Sequence, residues 1–258
     1  MKVVIFAGGL GTRISEETDA RPKPMVEIGG KPIIWHIMKI YSHFGFNDFI
    51  ICLGYKGYII KEYFMNYFLH NSDITIDLKN NKVQIHDSTS EPFTVTLVET
   101  GLETKTAARL KQVQKYIGNE DFMLTYGDGV CDVNLKELLN FHKEHNKIAT
   151  VTSIQLDSRF GGMEVNDTGE VIAFREKAHD ESKWLNGGFF VLKPDVFKYL
   201  DGDMTNMMWE DRPLERLATD NELIAYRHNG FWKCMDALRD KIELEDLWKN
   251  NDAKWKVW

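Results

Sequence analysis

Strand-length apolar runs at 3–7, 49–53, 94–98, 122–126 and 149–154 alternate with segments of helical period at 32–43, 58–69, 107–117 and 135–145. A chain that switches between these two periods in this order folds as βα units on a mostly parallel sheet. The expected fold class is therefore α/β, a Rossmann-like mixed, mostly parallel sheet flanked by helices. Pro32 suits a first helical position, where a missing N–H is tolerated. Two segments break the alternation. Residues 76–86 alternate on both sides of Asn80-Asn81, a hairpin signal, and a protruding hairpin is expected near 74–93. Residues 162–174 read as a second hairpin turning at Asn166-Asp167-Thr168-Gly169, followed by a strand at 188–192 and a helix from Pro194. With no repeat, low-complexity tract or linker, the chain reads as a single domain of two lobes, 1–155 and 156–258.

Apolar residues make up 43% of the chain and charged residues 28%, ordinary proportions for a globular protein in water. No apolar run nears the roughly 20 residues of a bilayer-spanning helix, so no membrane partner is expected. Met1 to Phe6 carries one lysine and a short apolar run that passes directly into glycines; it reads as the first strand of a cytoplasmic protein. Cys52, Cys131 and Cys234 are widely spaced, odd in number and form no C-x-x-C pair, so they read as small buried hydrophobes. The net charge of −7 and the dispersed basic residues do not match the footprint of a nucleic-acid binder. A phosphate-rich small ligand would have to be met by local cations.

The strongest local signal is Ala7-Gly8-Gly9-Leu10-Gly11-Thr12-Arg13, directly after the first expected strand and at the carboxyl edge of the sheet, where open α/β folds bind ligands. Glycines there permit close backbone approach and free N–H groups for anionic oxygens. A Walker loop needs Gly-Lys-Ser/Thr, which Arg13-Ile14-Ser15 does not supply. A dinucleotide turn would want a small residue in place of Ile14 and sits awkwardly with Arg13, but stays open. A merely tight turn leaves Arg13 and the next element, Arg21-Pro22-Lys23-Pro24, unexplained. Its prolines fix φ and hold the preceding residues extended, so Lys23 is presented from a stiff segment, suited to a developing phosphoryl charge.

Gly-Gly-x-Gly-Thr-Arg at 8–13, Pro-Lys-Pro-Met at 22–25 and Gly29-Gly30-Lys31-Pro32 together resemble the sugar nucleotidylyltransferases, whose glycine loop holds an NTP triphosphate. The similarity continues through 35–39, 54–68, 126–129, 186–192 and 231–241, and is greatest to the cytidylyltransferases acting on glucose 1-phosphate. It implies CTP and glucose 1-phosphate as small-molecule substrates, CDP-glucose and pyrophosphate as products, Mg2+ as cofactor, and a homo-oligomer to which the 76–86 hairpin contributes. The alternative is a UTP- or dTTP-dependent relative acting on glucose or another sugar 1-phosphate. Readings from other classes are a nicotinamide-dependent dehydrogenase and a non-catalytic nucleotide-sugar sensor.

The resemblance assigns the nucleotide to Phe6, Ala7, Gly8, Gly9, Leu10, Gly11, Thr12, Arg13, Lys23, Thr104, Thr106, Arg109 and Gly127. Thr104 and Thr106 open an expected helix whose unpaired N–H groups suit an anion, and Ala107-Ala108 stand where the family pattern has glycines. Asp128, in Tyr126-Gly127-Asp128-Gly129, and Asp236, in Trp232-Lys233-Cys234-Met235-Asp236, are the implied metal ligands; magnesium takes few carboxylates besides phosphate oxygens. The sugar phosphate falls to Gly161, Glu176, Lys177, Asn186 and Gly187, with Ala178 in place of a family proline. Without the resemblance, Gly127-Asp128-Gly129 is an ordinary turn and Glu176-Lys177 a solvated edge.

No Ser/His/Asp or Cys/His set points to a covalent intermediate, and His36, His70 and His142 read as helix residues. The expected chemistry is in-line attack of the sugar phosphate on the α-phosphorus, with Arg13 and Lys23 as catalytic cations on the triphosphate and Lys177 on the attacking phosphate.

Overall fold

Along Lys2–Ala7 (β1), Val3, Ile5 and Ala7 enter one core while Val4 and Phe6 enter another. A strand buried on both faces belongs in the middle of a sheet covered by helices on each side. The computed structural model describes residues 1–155, 162–165, 171–175, 184–202, 204 and 206–258, the pieces at 162–165 and 171–175 by their backbone pairing. After β1 come Ser15–Thr18 (α1), the ribbon Glu27–Ile28 (β2) and Lys31–Pro32 (β3), Ile33–His43 (α2), Asp48–Leu53 (β4) and Gly57–His70 (α3). Next are Ser72–Asp77 (β5), Lys82–Ser88 (β6), Thr94–Glu99 (β7), Thr106–Ile117 (α4), Phe122–Tyr126 (β8), Gly129–Cys131 (β9), Leu135–His145 (α5) and Ala149–Ile154 (β10). The remainder comprises Gly162–Val165 (β11), Val171–Arg175 (β12), Leu185–Leu192 (β13), Arg212–Thr219 (α6), Leu223–His228 (β14), Trp232–Cys234 (β15) and Leu238–Lys249 (α7).

The main sheet has seven strands in the order β14-β10-β13-β8-β1-β4-β7. Its β13 runs antiparallel to β8 and β10, and the other pairings are parallel, so the mixed, mostly parallel α/β expectation holds. Tyr41 of α2, Leu138 of α5 and Leu244 of α7 fill the core on one face; Leu110 and Val113 of α4 and Leu217 of α6 fill it on the other. Among the described residues no helix is long and apolar enough to cross a membrane.

Some local expectations shift. Pro32 is not a first helical residue: with ψ 145 it pairs with Glu27 in the ribbon, and α2 begins at Ile33. The first hairpin runs from Ser72 to Ser88, longer than its alternating stretch. Its turn is closed by the Asp77 carboxylate, which accepts from Asn80 N at 3.1 Å and Asn80 Nδ2 at 2.7 Å, while Asn81 takes φ 51. The second hairpin is β11–β12, with Gly162 opposite Arg175; its turn at 166–169 lies outside the described residues. The helix expected from Pro194 is the 3-10 segment Pro194–Tyr199.

Candidate active site

Strand β1 pairs with β4 on one side and β8 on the other, and the sequence visits them in opposite directions from β1, so their carboxyl ends form a switch point. The chain leaves β1 at Ala7 and β8 at Tyr126 into one cleft of about 380 Å³, lined by residues 6–13, Lys23, 102–106, Arg109, 126–128, Met208 and Asp236. The residues that the sequence assigned to triphosphate, base and metal thus all line the same cleft.

Its floor is tight backbone. Gly127 N donates to Phe6 O at 2.9 Å, and a Cβ at Gly127 would stand 2.7 Å from that same carbonyl. Gly11 turns the loop at φ 66, and Ile14 N and Thr18 Oγ1 both bond its carbonyl at 3.1 Å. Lys23 opens the 3-10 turn Lys23–Met25 behind an extended Pro22, with Met25 N bonded to Pro22 O at 2.8 Å, which is the stiff presentation expected of the two prolines.

Arg109 is 3% exposed, and burial pulls its guanidinium below the usual range. Its Nη1 donates to Leu53 O at 2.8 Å and Thr100 Oγ1 at 2.5 Å; its Nη2 donates to Gly8 O at 3.0 Å and Leu102 O at 3.3 Å. It lines the cleft as a clamp on the ends of β1 and β4 and on the turn after β7. A Cβ on Gly8 would land on the guanidinium. Thr106 also lines the cleft, but its hydroxyl donates to Glu210 Oε2 at 2.9 Å and accepts from Trp209 N at 2.7 Å. Ala107 N bonds Met207 O at 3.3 Å, so the start of α4 is partly closed by the segment 207–210. The Ala107 and Ala108 methyl groups are buried, not set into the cleft.

The acids are brought together by pairing of β9 with β15, Gly129 opposite Cys234, and by Met235 N donating to Asp128 O at 2.8 Å. Lys23 Nζ lies 2.5 Å from Asp128 Oδ2 and 2.7 Å from Asp236 Oδ1, and Arg13 Nη1 lies 2.8 Å from Asp236 Oδ2. Burial pulls Lys23 down, but Asp128 and then Asp236 outweigh it and hold the ammonium above its ordinary value. Burial pushes Asp236 up, yet Lys23 and Arg13 bring it below the usual carboxylate range. The backbone of Asp236 is braced by Asp240, whose Oδ2 accepts from Asp236 N at 3.1 Å and Ala237 N at 2.9 Å. Two partly exposed carboxylates converging on one cation, beside a phosphate-sized glycine loop, fit a hard divalent ion that keeps water and takes few protein ligands.

Asn186 and Gly187 begin β13 beside the cleft and are not part of its lining. Asn186 Oδ1 accepts from Gly188 N at 2.8 Å, and Gly187 O accepts from Trp232 Nε1 at 2.7 Å. Gly161, Glu176 and Lys177 lie outside the described residues. Sequence reading did not single out Glu210 or Asp240. The available signal for Asp240 was an acid in a first helical turn; for Glu210 there was none.

A sequence pattern described as nucleotidyl transferase matches residues 2–237. The glucose-1-phosphate cytidylyltransferase of Salmonella typhimurium is 53% identical over 259 residues, covering 100% of both chains. A mannose-1-phosphate guanyltransferase of Hypocrea jecorina is 29% identical over 98% of this chain and 66% of its own. Among solved structures, UDP-glucose pyrophosphorylase complexed with UDP-glucose superposes with TM-score 0.68 at 20% identity, covering 97% of this chain and 98% of that one. HddC from Yersinia pseudotuberculosis superposes with TM-score 0.67 at 22% identity over 96% and 99%. These structures share the fold, and the pattern and the full-length relative carry the assignment: the chain belongs to the nucleotidyl transferase family.

Proposed function

We propose that this chain is a glucose-1-phosphate cytidylyltransferase, forming CDP-glucose and pyrophosphate from CTP and glucose 1-phosphate. The observation that carries the reading is the end-to-end 53% identity to a relative named for that activity. The cleft supports it, because Arg13, Lys23, Asp128 and Asp236 meet beside a glycine loop. A sugar phosphate oxygen attacks the α-phosphorus, the bond to the β-phosphate oxygen breaks, and pyrophosphate leaves in line. The N–H groups of residues 8–13, with Arg13 and Lys23, hold the β- and γ-phosphates and take up the charge that develops on the leaving group. Asp128 and Asp236 would hold Mg2+, which when bound neutralises phosphate oxygens. Arg109 keeps the loop backbone in place for the nucleotide, while Thr104 and Gly127 line the same cleft. Following the family, Gly161, Glu176, Lys177, Asn186 and Gly187 in the 156–258 lobe receive the sugar phosphate.

The protein would work as a homo-oligomer. Ile74, Ile76, Val83 and Ile85 face the same side of the β5–β6 ribbon, with Ile76 53% and Val83 55% exposed and Leu78 88% exposed at its tip. An apolar ribbon of this kind fits a second copy of the chain. The functional test is pyrophosphate release with Mg2+ and glucose 1-phosphate, assayed separately with CTP, UTP, dTTP and ATP. Release with CTP is expected. Release only with another NTP would overturn the base, and silence with all four would point to another sugar 1-phosphate or to a sensor.

A further inference from the structure

Glu210 is held differently from Asp128 and Asp236, the ion-paired carboxylates of the cleft. Among the described residues no Lys or Arg forms an ion pair with it; two hydroxyls hold it instead. Thr106 Oγ1 donates to Oε2 at 2.9 Å, and the Tyr126 hydroxyl donates to Oε1. These donors belong to different elements lining the cleft, Thr106 opening α4 and Tyr126 ending β8. Thr106 also accepts from Trp209 N at 2.7 Å, and Ala107 N reaches Met207 O at 3.3 Å. The segment 207–210 is thereby stitched to α4 and, through Glu210, to β8, with Met208 facing the cleft between the two attachments.

Tyr126 is fixed from the sheet side as well. Its ring rests against the bare α-carbon of Gly188, where φ is 80 and a Cβ would stand 2.6 Å from Cδ2. The Asn186 side chain reaches its phenol. Glu210 is the attachment that joins this floor to α4.

We propose that Glu210 is a positioning residue that sets the width of the cleft between α4 and β8, holding Met208 and Tyr126 in register against the nucleotide. The inference rests on the nucleotidylyltransferase reading. Both carboxylate oxygens accept, so alanine at 210 frees both elements. Glutamine keeps both attachments: its oxygen accepts from Thr106, and its amide donates to a reoriented Tyr126 hydroxyl.

The test is steady-state kinetics of wild type, Glu210→Ala, Glu210→Gln, Tyr126→Phe and Glu210→Ala/Tyr126→Phe, with thermal melts alongside. Glu210→Ala is expected to raise KM for CTP about tenfold, because the two lining elements lose their register against the nucleotide. Its kcat should stay within roughly threefold, because no reacting group is touched. Glu210→Gln should restore most of KM, and Tyr126→Phe should add little once Glu210 is alanine, since the two share one attachment. A lower melting temperature with unchanged KM overturns the proposal in favour of a scaffold role; a collapse of kcat at constant KM overturns it in favour of direct contact with reacting groups. If Glu210→Ala does not fold, Tyr126→Phe alone must raise KM, or the proposal fails. Wild type inactive with every NTP removes the functional reading, and this inference with it.

Discussion

Lys23 Nζ lies 2.5 Å from Asp128 Oδ2 and reaches Asp236 on its other side, so one ammonium is shared by the two carboxylates that would hold a divalent ion, with Arg13 pairing Asp236 as well. On the proposed reading a metal competes with Lys23 for these carboxylates, and a triphosphate offers that lysine a new partner. Metal and nucleotide are therefore expected to bind with positive linkage.

Lys23→Met should raise affinity for Mn2+ in the absence of nucleotide by about tenfold, since the competing cation is gone. Turnover should fall about 10²- to 10³-fold, the usual cost of removing one preorganised charge from a transition state. Calorimetric titration and pyrophosphate release measure the two. Unchanged Mn2+ affinity would mean that Lys23 does not compete.

Arg109→Met should cost about 3 kcal/mol, because Leu53, Gly8 and Leu102 carbonyls lose a charged donor in a buried place. That corresponds to roughly 6–12 °C in melting temperature for a chain of this size. Arg109→Lys should recover little, since one ammonium cannot span acceptors that a planar guanidinium reaches together. A lysine variant melting like wild type would remove the clamp.

Acid should destabilise the fold through His36 and His142, both buried and both pulled down by burial to about 4 from an ordinary 6.5. His36 Nε2 meets Ile28 O at 2.8 Å and its Nδ1 accepts from Trp255 Nε1 at 3.4 Å, so the neutral ring is fully engaged. The unfolded chain takes up protons below pH 6.5 that the folded chain refuses until near pH 4. Stability is thus complete above 6.5 and falls between these values, by about 2 kcal/mol per histidine at pH 5. Urea titrations at pH 7 and 5 measure the loss, and His142→Leu should remove about half of it. A midpoint independent of pH would refute the assignment.

Leu78→Asp with Ile76→Asp should reduce the sedimenting mass of the protein, while the melting temperature stays within a few degrees because both side chains are largely exposed. An unchanged mass would exclude the β5–β6 ribbon as the surface between copies.

Where the fold was legible, burial explains why. Strands β1, β4 and β8 are nearly continuous apolar runs because both faces are covered. Strand β14 was not legible: it lies at the sheet edge, none of its six residues is fully buried, and Ala225 and Arg227 are exposed. Helix α7 buries only Asp240 and Leu244 completely, too thin a stripe to announce itself. In the site, Lys23, Asp128 and Asp236 each carried a local signature. That Lys23 bridges both acids depends on the long-range pairing of β9 with β15, which no short motif encodes. Glu210 had no signature because its role comes from hydroxyls more than 80 residues away in sequence.

The Arg109 guanidinium occupies the space that a side chain at Gly8 would need, while a Cβ on Gly54 would stand 2.5 Å from the Gly8 carbonyl oxygen and 2.8 Å from the guanidinium. These three positions therefore cannot drift independently. A lineage that first shortened residue 109 would open room for alanine at position 8, whereas the reverse order passes through a clash at the mouth of the cleft. The order in which substitutions arrive, and not only their sum, decides which descendants of this sequence fold.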